Sequence, residues 1–205
     1  MKKKLLIALF FLTAFSLQAQ VTVKPGVRAG VNFSRLTDTD LDSKTDFYVG
    51  GFAAVKLSRF YTLQPEITYS RQGGEGDVTN FDYNLQQDVT RHYNVELNYV
   101  SLAALNKFTF SDSFNVHVGP FFDILATGSH YDGTDVDLGI TGGIGYTMPF
   151  GLTVEARVKA GIVDVVDSYL YVNDYNDTDY FDGYGHNLVF SVGLSYSFDV
   201  KGTTK

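Results

Sequence analysis

Apolar and polar residues alternate along much of this chain. From Leu188 to Phe198 it reads Leu-Val-Phe-Ser-Val-Gly-Leu-Ser-Tyr-Ser-Phe. Leu188, Phe190, Val192, Leu194, Tyr196 and Phe198 share one face, and Val189, Ser191, Gly193, Ser195 and Ser197 share the other, so the period of two predicts a strand. The first face is apolar throughout. The second carries mostly Gly and Ser where a soluble sandwich would carry charge, which suits a crowded barrel interior with lipid on the apolar side.

The same period recurs seven more times. Val27, Ala29, Val31 and Phe33 alternate with Arg28, Gly30, Asn32 and Ser34, and Phe47 to Leu57 alternates less cleanly with Tyr48, Gly50, Phe52, Ala54 and Lys56. Tyr61, Leu63, Pro65, Ile67 and Tyr69 set a third strand against Thr62, Gln64, Glu66, Thr68 and Ser70. In the fourth, Tyr93, Val95, Leu97 and Tyr99 are assigned to the outer face and Asn94, Glu96 and Asn98 to the inner one; the alternation fails from Val100 to Leu105, as a bulge there would explain. Phe114 to Ile124, Leu138 to Tyr146 and Leu152 to Ile162 supply strands five to seven. At about 3.4 Å per residue and a tilt near 40°, roughly ten residues cross an apolar band of about 25 Å, so strands of this length can span a membrane.

The connections alternate too. Ser58 to Phe60, Phe108 to Ser113 and Met148 to Gly151 are short, whereas Thr37 to Asp46, Arg71 to His92, Gly128 to Val136 and Asp164 to His186 are long. All the long ones then fall at one end. The expectation is an all-β fold, an eight-stranded antiparallel up-and-down transmembrane β-barrel with its termini at the short-turn end.

Composition adds an address. Lys2, Lys3 and Lys4 precede an apolar run from Leu5 to Leu12, and Leu17-Gln18-Ala19 follows, which reads as a signal peptide over residues 1–19 ahead of a barrel domain over residues 20–205. No later stretch approaches the roughly twenty apolar residues of a spanning helix, so any membrane insertion uses strands. The 205 residues contain no Cys, which removes disulfides and thiolate metal sites. Loss of the three signal lysines takes the formal charge from −7 to −10. An acidic chain of this kind repels nucleic acid, and that class is set aside.

Read in phase, several charged residues face inward: the acids Glu66, Glu96, Asp123 and Glu155, and the bases Arg28, Lys56, Arg157 and Lys159. Four acids against four bases predict a lumen filled by a salt-bridged side-chain network, since an unpaired ion there would be costly. Aromatic residues sort into two girdles, Tyr61, Phe114, Tyr146, Tyr196 and Phe198 at one rim and Phe33, Phe47, Tyr69 and Tyr93 at the other.

Most Asp fall in the long connections. Asp38, Asp40 and Asp42 space their carboxylates like the start of a Ca²⁺ loop, but the Gly at the sixth position and the Glu at the twelfth are missing. Together with Asp174, Asp177, Asp179 and Asp182 they are candidates for weak, diffuse cation binding, against the plainer reading of a solvated acidic surface. No cofactor is expected. Ser129, His130 and Asp132 lie close together in one long connection, and a surface hydrolase is the alternative to a non-catalytic protein. His117 is inward and reads as part of the polar filling.

Val27 to Ser34, Leu63-Gln64-Pro65-Glu66-Ile67-Thr68-Tyr69-Ser70, Val118-Gly119-Pro120-Phe121, Gly151 to Arg157 and Gly193 to Phe198 together resemble the PorT-type outer-membrane β-barrel family of Bacteroidota. The resemblance covers residues 24 to 198, with Tyr99-Val100-Ser101-Leu102-Ala103-Ala104 standing where the family has Tyr-Leu-Glu-Ile-Pro-Leu. It implies an integral protein of the outer membrane of a Gram-negative bacterium, with a structural or binding and assembly role, secretion among the possibilities, and no catalytic residues. The implied partners are outer-membrane lipid and lipopolysaccharide, the barrel-assembly machinery, and a protein met at the acidic outer loops.

Overall fold

The computed structural model describes residues 22–37, 41–82, 85–111, 113–128, 135–163 and 186–199. Its strands are β1 (Thr22–Leu36), β2 (Asp42–Lys56), β3 (Tyr61–Asp82), β4 (Gln87–Thr109), β5 (Phe114–Gly128), β6 (Val136–Thr147), β7 (Leu152–Gly161) and β8 (Asn187–Ser197). Each pairs antiparallel with its sequence neighbour, and β1 pairs with β8 from Gly26↔Ser197 to Leu36↔Asn187, so the sheet closes. Closure leaves no unpaired edge in the membrane, where an unsatisfied backbone group would cost several kcal/mol.

Three tight turns sit at one end. In two of them a serine hydroxyl replaces missing backbone partners: Ser58 Oγ accepts from the amide of Tyr61 at 3.1 Å, and Ser111 Oγ from that of Phe114 at 3.0 Å. In the third, Gly151 takes φ +91°, a left-handed conformation that a side chain would resist. The two chain ends of the barrel meet at this same end, where the Phe198 amide donates to the Pro25 carbonyl at 2.8 Å.

The outer surface is apolar in the membrane-crossing part of every strand, with Val27, Val31, Val49, Ile67, Leu102, Val118, Ile140, Val158 and Val192 among its exposed residues. Aromatic pairs mark both rims. Phe33 packs on Phe190 and Phe47 on Tyr69 at one, Tyr61 on Phe108 and Tyr196 on Phe198 at the other. The Tyr61 hydroxyl donates to Asn106 and the Tyr69 hydroxyl to Asn98, which keeps polar tips satisfied at the two borders of the apolar band.

β4 departs from its expected phase. Val95, Leu97 and Tyr99 are buried inside the barrel, whereas Glu96 lies on the opposite face, its side chain 43% exposed. Tyr93 likewise leaves the girdle and packs, with Leu125, against a cluster of Leu36, Leu41, Val95, Leu97 and Tyr99. The cause is position along the strand. Above the lipid band the apolar face turns inward as in any water-bathed protein, and the same alternation then carries Ser101, Ala103 and Leu105 inside and Leu102 and Phe108 out to lipid. The loss of contrast from Val100 to Leu105 is therefore a change of surroundings without a bulge. The register shift of this pair lies between Asn98 and Tyr99, where β5 carries the extra residue.

The span from Arg71 to His92, expected as a long connection, is instead mostly ladder. Arg71↔Asn98 continues to Asp82↔Gln87 without a shift. β2 likewise begins at Asp42, inside the expected connection from Thr37 to Asp46.

Candidate functional site

The barrel interior is a layered stack of polar side chains, and its centre is a ring of four charges. Arg28 on β1, Glu66 on β3, and Glu155 and Arg157 on β7 reach it because each occupies an inward position of its strand. Glu66 Oε2 accepts from Arg28 Nη1 at 2.7 Å and from Arg157 Nη1 at 2.7 Å, and Glu66 Oε1 accepts from Arg157 Nη2 at 2.9 Å. Glu155 closes the ring on the other side, 2.9 Å from Arg28 Nη2 and 3.0 Å from Arg157 Nη2. All four residues are buried, at 8% exposure or less. Two fixed guanidinium forks matched to two carboxylates form a charge-neutral set with most lone pairs used, the condition under which buried ions are tolerable.

Neighbouring layers fit around this ring. The Arg28 guanidinium lies over the Tyr48 ring, 4.5 Å from its centroid. Tyr48 itself occupies space left by Gly30 and Gly193, which face each other across β1 and β8; a Cβ on either would overlap its hydroxyl. Toward the loop end, Lys159 pairs with Asp123 and rests on the Phe121 ring. Asn32 donates to Ser70 at 2.9 Å and accepts from Ser191 at 2.9 Å, tying β1 to β3 and β8. Ser34 bonds both backbone groups of Gly73 at 2.9 Å, so β1 and β3 nearly touch inside β2. Next to the ring lies a cavity of about 40 Å³, room for a few waters.

Of the residues assigned to the lumen network, the structure brings Arg28, Glu66, Glu155 and Arg157 into one cluster and places Lys159 with Asp123 beside it. Lys56 faces inward but stands apart at the turn-end mouth. Glu96 is a correction: it pairs outside the lumen, 3.2 Å from Lys44 Nζ and 3.9 Å from Arg71 Nη2. Sequence reading also passed over Asp137, fully buried and facing Asp123 across β5 and β6, and over Lys44, which joins Glu96 and Asn94. Asp137 falls between the connection ending at Val136 and the strand expected from Leu138, and so belongs to neither in the sequence. Its strand alternation, one position before Leu138, was the available signal.

Among the described residues the histidines do not converge. His117 is buried beside Asn115, His92 stands exposed with Nδ1 2.8 Å from Asp77 Oδ1, and the His186 backbone bonds Thr37. Ser129, His130 and Asp132 lie outside the described residues, as do residues 1–19, Asp38, Asp40, Asp174, Asp177, Asp179 and Asp182. Asp42 alone of the cation candidates is described, exposed at the start of β2 opposite Glu75.

Residues 18–203 match the model of the outer membrane protein beta-barrel domain. No curated protein is significantly similar in sequence. Among solved structures, the chain is similar to Neisserial surface protein A, at 14% identity and a TM-score of 0.54 over 86% of this chain and 99% of that one. It is also similar to Ail, the attachment invasion locus protein of Yersinia pestis, at 9% identity and a TM-score of 0.48 over 85% and 98%. OprG of Pseudomonas aeruginosa gives 11% identity and a TM-score of 0.45 over 88% and 98%. At such identities the likeness is one of fold.

Proposed function

The chain belongs to the outer membrane protein beta-barrel domain family, and from that premise we propose that it is a closed-lumen anchor presenting a binding element outside a Gram-negative cell. In this reading residues 1–19 direct export, the barrel-assembly machinery inserts the chain, and the role is structural or one of binding and assembly, without catalysis. Lipid and lipopolysaccharide surround the apolar band, and a protein partner is met at the acidic outer end.

The observation that carries the reading is the β3–β4 ribbon. The last pairing of β2 with β3 is Asp42↔Glu75, and that of β4 with β5 is Leu97↔Gly128, yet β3 and β4 stay paired to Asp82↔Gln87. Gly76 to Asp82 therefore pair with Gln87 to Tyr93 beyond the last rungs that β2 and β5 contribute. A two-stranded ribbon carried past the wall of a rigid closed sheet is an element that a partner can grip without disturbing the barrel. The likeness of strands one, three, five, seven and eight to PorT-type sequences supports an assembly role linked to secretion.

Replacing residues 78–91 by a two-residue Asn-Gly turn between the register partners Asp77 and His92 tests this. The shortened protein is expected to reach the outer membrane at the normal level and to lose its cross-linked protein partners there. An unchanged cross-linking pattern would reject the ribbon as the binding element, and labelling of Ser129 by a serine-hydrolase probe would reject the non-catalytic role.

A further inference from the structure

At the turn end, below the charge ring, the barrel opens into a chamber of about 770 Å³. We propose that this chamber is a binding site for a small oxyanion of the phosphate class, held by Lys56 and Lys107 with Thr62 between them.

The three residues are adjacent in register. Lys56 faces Thr62 across β2 and β3, and Thr62 faces Lys107 across β3 and β4, so two ammonium groups flank one hydroxyl on the inward face of neighbouring strands. All three line the chamber, along with Thr109, Thr153 and Ser197. Their hydroxyls add neutral donors along the chamber wall. The floor is Gln64, whose amide donates to Glu66 at 2.7 Å and so marks where the salt-bridged layer begins.

Charge sets these two lysines apart. Arg28, Arg157 and Lys159 each meet a carboxylate within the barrel, and at the mouth Lys24 is held by Asp199 at 2.5 Å. Among the described residues Lys56 and Lys107 have no ion-pair partner. Among its described lining residues the chamber carries Lys24, Lys56 and Lys107 against Asp199, an excess of two positive charges in a chain whose formal charge is −7. Low-dielectric walls concentrate such a field and draw an anion in. A lysine ammonium with nearby hydroxyls is a phosphate-binding set of point charge plus neutral donors. The volume falls in the range of about 300–1,000 Å³ usual for small-molecule sites, enough for free phosphate or for a phosphate ester with a small hydroxylated group. The site lies at the opposite end from the β3–β4 ribbon, so it does not depend on the ribbon's role.

The test is calorimetric titration of the refolded full-length barrel in non-ionic detergent, with inorganic phosphate and with glycerol 3-phosphate, each against chloride at matched ionic strength. Saturable binding of either phosphate compound supports the proposal, and the two titrations separate the free ion from the ester. Lys56→Gln and Lys107→Gln are each expected to weaken binding by about tenfold. Lys24→Gln, whose ammonium Asp199 already holds, should change it by less than about threefold. Lys56 stands at the exposed mouth, so Lys56→Gln and the reversal Lys56→Glu carry the test even if substitution of the more enclosed Lys107 prevents insertion. Folding of each variant is checked by its heat-modifiable gel mobility. Equal heats for phosphate and chloride, or binding that survives Lys56→Glu, would overturn the proposal.

Discussion

Glu66 accepts three hydrogen bonds from two guanidinium groups and a fourth from Gln64. Removing its charge leaves two buried arginines sharing Glu155. Glu66→Gln is therefore expected to destabilise the barrel by about 3–5 kcal/mol in urea unfolding. Removing one charge of each sign keeps the ring neutral, because Arg28 and Glu155 still pair at 2.9 Å. The double variant Glu66→Gln with Arg157→Met should then be less destabilised than the sum of the single variants, with a coupling of about 0.5–3 kcal/mol. Additive losses would mean that the four residues do not act as one unit. At this scale alternation alone revealed that Arg28, Lys56, Glu66, Asp123, Glu155, Arg157 and Lys159 point inward, and it misplaced Glu96, whose strand turns its apolar face inward above the lipid band. It did not reveal which of them meet. Lys56 and Arg28 carry the same sign on neighbouring inward faces, and only the stagger of the closed sheet sends Arg28 to the ring and leaves Lys56 at the mouth.

Whole strands were legible where the membrane enforces contrast between faces. β7 and β8 match their expected phase because both faces differ along their entire length, Val154, Ala156 and Val158 opposing Glu155 and Arg157. β4 did not, because it passes from water into lipid and the meaning of an apolar residue reverses on the way. The β3–β4 ribbon was hidden for a related reason. Gly73, Gly74 and Gly76 interrupt the alternation, and cross-strand pairs such as Thr79 with Thr90 at 2.8 Å and Asp77 with His92 show only when both strands are seen together. The last strand carries a prediction of its own. β8 joins β1 to close the barrel, and Phe198, just past its end, packs edge-on against Tyr196 with centroids 5.2 Å apart. Phe198→Ala should lower the amount of protein inserted in the outer membrane more than deletion of residues 200–205 does. Equal yields of the two variants would show that the terminal aromatic anchor contributes nothing to insertion.

For the molecule as a whole, the decisive property is that side chains block the barrel across its middle. The apolar cluster around Leu36, Leu97 and Tyr99 fills the loop end, the ring of Arg28, Glu66, Glu155 and Arg157 fills the middle, and the chamber beneath ends at Gln64. A solute entering from the turn end meets buried ion pairs, and one entering from the loop end meets packed aliphatic side chains. The ring cannot open without stranding charges in a medium that does not solvate them, and the cluster cannot open without exposing its apolar side chains to water. Single-channel recording of the purified protein in planar lipid bilayers tests this most directly. The structure predicts no sustained unitary conductance above the bare membrane, and a large, stable open level in the unmodified protein would contradict the filled lumen.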